Sequence, residues 1–104
     1  MDNIEIKQFS NKLHQIAWHA AQRPSMYGVE DLNEYCILIF GVALGCHTEE
    51  HGFVLTGFRE FVIKKVKAPK NWCWVAALKD KLGNTKENIE KVYQLLEEYY
   101  KWKK

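Results

Sequence analysis

His47-Thr48-Glu49-Glu50-His51 is the segment whose residue types and spacing come nearest to a reaction. It fits the pattern H-x-x-E-H, in which two His on one helical face hold zinc and the intervening Glu acts as general base. Such a site needs a third protein ligand, and neither His14 nor His19 has an acidic companion close by in the chain to complete it. Gly52 follows at once, which puts the motif at a helix end rather than in a rigid interior turn. Short motif matches of this kind arise often by chance. A solvated helix terminus with His near its last carbonyls is the simpler account, and no metal is expected. A non-catalytic metal contact by His47 and His51 stays open as a minor alternative.

Cysteine chemistry fares no better. Cys46 and His47 are neighbours in a helical pattern, and adjacent helical residues do not face each other. Cys73 sits between Trp72 and Trp74 with no defined partner, and inert thiols are the ordinary case. Three cysteines without C-x-x-C spacing do not make a disulfide framework. A reducing cytoplasm is the matching compartment. No catalytic residue and no cofactor are assigned, and the chain is expected not to be an enzyme.

Charge carries more information. The chain has 15 Lys and Arg against 13 Asp and Glu, for a net charge of +2. No base lies between Arg23 and Arg59, while Glu30, Asp31, Glu34, Glu49 and Glu50 all do. That stretch therefore holds −5 and the rest of the chain +7, the 15 bases less the other 8 acids. An all-negative field attracts a basic partner and repels an acidic one. The acids also have a structural explanation: Glu30, Asp31 and Glu34 favour a helix N-terminus, and Glu49 and Glu50 solvate a helix end. On a rise of 1.5 Å per residue the two groups lie roughly 25 Å apart, so a partner has two distinct patches to choose from.

Lys64, Lys65, Lys67 and Lys70 form the one basic cluster, with Trp72 and Trp74 after it. Bases beside aromatics can hold single-stranded nucleic acid by charge and stacking. The competing account is a solvated helix face with the tryptophans in the core. A sequence pI of 8.4 is below the range of about 9 and above that is usual for nucleic-acid-binding domains. A small nucleic-acid-associated or regulatory domain is therefore the second choice.

The elements that must position these residues read as helices. At 104 residues, 47% of them hydrophobic, the chain is expected to be a single domain over residues 1–104 with one core. Asp2 and Glu5 form a capping-box pattern before Phe9, Leu13, Ile16, Ala17 and Ala20, and Pro24 ends that helix. A second helix from about Glu30 to Cys46 or His47 is apolar nearly all round, which marks a central, buried element. Phe53 to Leu55 suits a short extended piece. Thr56 can cap a third helix with Phe58, Phe61, Val62 and Val66 on one face, stopped by Pro69. Asn71 can cap a fourth carrying Trp72, Val75, Leu78 and Leu82, with Gly83 beyond its end. Asn84 and Glu87 repeat the capping-box spacing before a fifth helix bearing Ile89, Val92, Tyr93, Leu96, Tyr99 and Tyr100. The expectation is an all-α bundle of about five helices. Near the C-terminus, Trp102 can mediate a dimer or pack on the first helix, and the oligomeric state is open. The first residues lack the features of a signal peptide. The longest nearly apolar run, Tyr35 to Cys46, is shorter than the ~20 residues needed to span a bilayer. A soluble, cytoplasmic protein with no membrane partner is expected.

Arg23-Pro24-Ser25-Met26-Tyr27-Gly28, ahead of an apolar helix, resembles a loose family of small helical bacterial proteins that share Arg-Pro-x-Met-Tyr with a following Gly. Phe58 to Val62, Trp72 and Trp74 also look like that family's Phe- and Trp-centred helices. The likeness spans most of the chain but is specific only at the turn. There, Met26 and Tyr27 are expected to tuck into the core while Gly28 frees the backbone, so that the motif defines the fold rather than a site. The family is similar to immunity proteins of contact-dependent growth inhibition and related polymorphic toxin systems. What the resemblance implies is a cognate toxin domain, a ribonuclease A-like toxin among the candidates, bound tightly and without catalysis or direct contact to nucleic acid. No interface residue carries over from the motif. The charge pattern singles out Glu30, Asp31 and Glu34, or Glu49 and Glu50, as charged contacts to a basic nuclease cleft. Tyr27 is the aromatic anchor if it is exposed.

Overall fold

The computed structural model describes residue 9, residues 11–45 and residues 57–103. Among them are five α-helices and no strand: α1 (Lys12–Gln22), α2 (Leu32–Gly45), α3 (Phe58–Val66), α4 (Trp74–Leu82) and α5 (Ile89–Lys103). The protein is an all-α helical bundle, as expected. The Asp2–Glu5 cap, the Phe53–Leu55 segment, Thr56 and the His47–His51 motif fall outside the described residues.

Each boundary has a local cause. Asn11 caps α1: its side chain accepts the His14 N–H at 2.9 Å. Phe9 thus precedes the helix and packs its ring against Trp18 (5.7 Å) and His14 (5.2 Å). α3 ends in a Schellman motif, with Ala68 N–H on the Ile63 carbonyl (3.0 Å) and Lys67 N–H on that of Lys64 (3.3 Å). Lys67 takes the left-handed position, φ 60°, that such an end demands. Two proposed caps do different work. Asn71 lies in the turn before α4, whose cap position is Cys73. Asn84 turns away from α5, and its Oδ1 accepts the Asn33 N–H at 2.6 Å, serving the start of α2. α5 is entered instead through Thr85 and a 3-10 turn, Lys86–Asn88. Asn88 Nδ2 donates there to the carbonyls of Leu82 (2.6 Å) and Gly83 (3.1 Å), satisfying the end of α4.

α2 and α5 are the hubs: α2 packs on α1, α4 and α5, and α5 on α1, α2 and α3, while α3 packs on α4. The inner side of α2 carries Leu32, Tyr35, Cys36, Ile39 and Ala43, all essentially inaccessible. Tyr35 also donates its hydroxyl to the Ala17 carbonyl at 2.7 Å, joining α2 to α1. α2 is the central, buried helix expected, although Ile37, 55% exposed, and Leu44, 44% exposed, lie on its outer side. An aromatic group fills the other end of the core. Phe58 meets Trp74 at 5.1 Å and Tyr99 at 5.6 Å, both edge-on, a preferred geometry for such pairs. Trp102 is 69% exposed and leans on Phe61 (5.9 Å) and Tyr99 (6.1 Å), so it meets α3 and its own helix rather than α1.

Candidate protein-binding surface

The turn between α1 and α2 follows from three residue types. Pro24 suits the first position of a helical turn, where its missing N–H is no loss, and Pro24–Tyr27 forms one 3-10 turn. Gly28 then adopts φ 71°, which an L side chain resists. With Gly28 left-handed, Val29 N–H reaches the Pro24 carbonyl (2.9 Å) and Gly28 N–H that of Ser25 (3.2 Å). This second Schellman closure drives Val29, not Met26 or Tyr27, into the core. Met26 is 74% and Tyr27 44% exposed. The expectation that both tuck inward is corrected: Pro24, Gly28 and Val29 serve the fold, and the two large side chains between them do not. They line an open hollow of ≈ 680 Å³ with Trp18, His19, Gln22 and Arg23.

The acids follow directly. Asp31 caps α2, its Oδ1 accepting the Glu34 N–H at 2.9 Å and its Oδ2 the Asn84 amide at 3.3 Å. Glu34 Oε1 reaches back to the Glu30 N–H at 2.7 Å. The result is close to a capping box, so Asp31 and part of Glu34 are explained by helix initiation alone. Glu30 is exposed, and its carboxylate has no hydrogen bond or ion pair among the described residues. Tyr27, Glu30, Asp31 and Glu34 are thus brought together at one end of α2. Glu49 and Glu50 lie outside the described residues. Two bases border the group: Arg23 beside the hollow, and Lys86, whose Nζ is 3.5 Å from Ser25 Oγ.

The basic cluster is arranged differently from its sequence pattern. Lys64, Lys65, Lys67 and Lys70 are exposed, but Lys65 Nζ is 3.1 Å from Glu98 Oε1 and Arg59 donates to the Lys70 carbonyl. Trp74 is fully buried and Trp72 half-buried, so Trp74 cannot stack on a base. Its indole N–H finds no acceptor among the described residues, consistent with a side chain placed for its ring packing.

His14, which showed no acidic neighbour in the sequence, has one in space. Its Nε2 lies 2.7 Å from Glu97 Oε2, and the Tyr93 hydroxyl donates to the same carboxylate oxygen. Tyr100 stacks on the imidazole at 4.9 Å and donates its hydroxyl to Asn11 Oδ1 at 3.2 Å. Burial first, then the hydrogen bond to Glu97 and that carboxylate's charge, push the Tyr93 phenol well above its usual range. This group fastens α1 to α5. Burial likewise pushes the Cys36 thiol up, so it stays protonated and unreactive. Among the described residues there is no group of three His, Cys, Asp or Glu able to hold a metal, and no helix long and apolar enough to cross a membrane.

No periodicity in the sequence marked Met26, Ile37 or Leu44 as exposed. The position of Gly28, five residues after Arg23, is the signal that predicts the inverted turn. Compared with family models, curated proteins and solved structures, the chain matches none.

Proposed function

We propose that the chain is an immunity protein: it binds a cognate bacterial toxin domain, a basic nuclease, and neutralises it by laying an acidic surface over the active-site cleft. The observation that carries this reading is the display of Met26 and Tyr27 beside Glu30 and Glu34, within a stretch that holds no Lys or Arg. Large exposed side chains of this kind are the usual anchors of protein interfaces. Here they are set by a closed turn, so little ordering cost is paid on binding. A nuclease cleft must be basic to hold phosphate, and carboxylates at the rim of an anchor raise the association rate and choose the partner. The role asks for no catalysis by this chain and no cofactor.

The test is titration of the chain against the purified C-terminal domain encoded immediately upstream, at two salt concentrations. Tight binding that weakens with salt is expected. Glu30→Lys should lower the affinity and flatten its salt dependence. A salt-independent complex, or one indifferent to both Tyr27→Ala and Glu30→Lys, would rule out the acidic plug. Binding of short RNA by the chain itself would point instead to Lys64 to Lys70.

A further inference from the structure

Resting on the reading of the chain as an inhibitor of a basic toxin domain, we infer that the partner's footprint continues from the Tyr27 turn along the outer face of α2. There Ile37, Gly41 and Leu44 receive an apolar helix ridge of the toxin domain, with a Lys or Arg of that ridge set against Glu34.

The geometry begins with spacing. Glu34, Ile37, Gly41 and Leu44 recur at intervals of three, four and three residues. At 3.6 residues per turn they fall within an arc of about 80°, along roughly 15 Å of helix. All four are exposed, whereas Leu32, Tyr35, Cys36, Ile39 and Ala43 occupy the opposite side and are buried. The exposed line is therefore the side of α2 turned away from the described helices, and it leaves Ile37 and Leu44 about half exposed. The four-then-three spacing of Ile37, Gly41 and Leu44 is also one by which a helix accepts another. Gly41 lies in its middle, and a Cβ added there would meet nothing within 4 Å. The bare backbone is therefore not required by any neighbour among the described residues. It costs helix stability relative to Ala, and it lets a second backbone approach closely.

Charge selects the occupant. Glu34 lies on the line itself, Glu30 precedes it, and no Lys or Arg occurs anywhere from residue 24 to residue 58. A second copy of the chain brings acids toward acids in a parallel pairing. In an antiparallel one it offers Glu34 no Lys or Arg, and Glu49 and Glu50 follow the helix in sequence. A basic partner meets no such conflict, and like-charge contacts are what interfaces use to exclude wrong partners.

Gly41→Gln separates binding from folding, because the added side chain enters open space on the free protein. The full-length variant should melt at the same temperature as the native chain or higher, yet bind the purified upstream-encoded toxin domain at least tenfold more weakly. Ile37→Ala with Leu44→Ala should weaken binding by a similar factor, a loss larger than the fall in thermal stability that their half-burial accounts for. Native affinity in both variants, with Tyr27→Ala still impaired, would overturn this footprint and leave the inhibitory function standing. Absence of binding by the native chain would remove the function and this inference with it. A dimer in sedimentation that Gly41→Gln converts to monomer would show a second copy on the face and refute a toxin ridge.

Discussion

His14 Nε2 sits 2.7 Å from Glu97 Oε2, an ion-pair geometry that joins α1 to α5 across 83 residues of chain. Tyr93 donates to the same carboxylate, and Tyr100 covers the imidazole. Glu97→Ala removes the charged acceptor that His14 and the Tyr93 hydroxyl share. A loss of about 2 kcal/mol is expected, read as a lower urea midpoint with an unchanged slope. A midpoint within error of the native chain would show that the group does not hold the two helices together.

Alkaline pH tests the same region with a definite sign. Burial raises the phenol pKa of Tyr35, Tyr93 and Tyr99 from 10.0, and that of the Cys36 thiol from 9.0. The folded chain therefore holds these protons more tightly than the unfolded chain. Their contribution is fully present below the unfolded values and is lost as pH rises through the folded ones. Circular dichroism should show stability falling from about pH 9 upward, with the tyrosinate absorbance of Tyr35, Tyr93 and Tyr99 appearing together with unfolding. Tyrosinate formed to completion in a chain that keeps its helix signal would contradict this assignment.

The two acids at the start of α2 should behave oppositely when replaced. Asp31 accepts the Glu34 N–H and the Asn84 amide, so Asp31→Ala costs about 1 kcal/mol of stability, or roughly 4–8 °C in Tm for a domain of this size. Glu30 has no such partner, and Glu30→Lys should leave Tm unchanged while impairing toxin binding. If Glu30→Lys lowers Tm as much as Asp31→Ala does, Glu30 is structural and leaves the interface.

Lys67 is the non-glycine residue held at positive φ among those described. A side chain there costs about 1–2 kcal/mol, and glycine recovers this less its own entropy in the unfolded chain. Lys67→Gly should raise stability by about 0.5–1 kcal/mol in thermal or urea melts. A lower Tm would mean that the lysine stem packs well enough to outweigh the backbone strain.

Local chemistry was legible in the sequence, and choices made by distant neighbours were not. The Phe58, Phe61, Val62 and Val66 face and the Gly83 stop followed from spacing alone. So did the clustering of Tyr27, Glu30, Asp31 and Glu34, since one short turn carries them. Met26 and Tyr27 looked like core residues because hydropathy says nothing of the handedness that Gly28 imposes, which sends Val29 inward in their place. α2 is apolar on nearly every side, so no periodicity could reveal that Ile37 and Leu44 stay exposed. Asn84 fitted a local capping box, yet it serves Asn33, 51 residues earlier. The partner of His14 is further away still.

The most direct test of the central claim is growth of cells expressing the upstream-encoded toxin domain, with and without this protein. The account predicts arrest without it, rescue by the native chain, and loss of rescue by Tyr27→Ala combined with Glu30→Lys at unchanged expression. Arrest that the native chain fails to relieve, or equal rescue by the double variant, would contradict it.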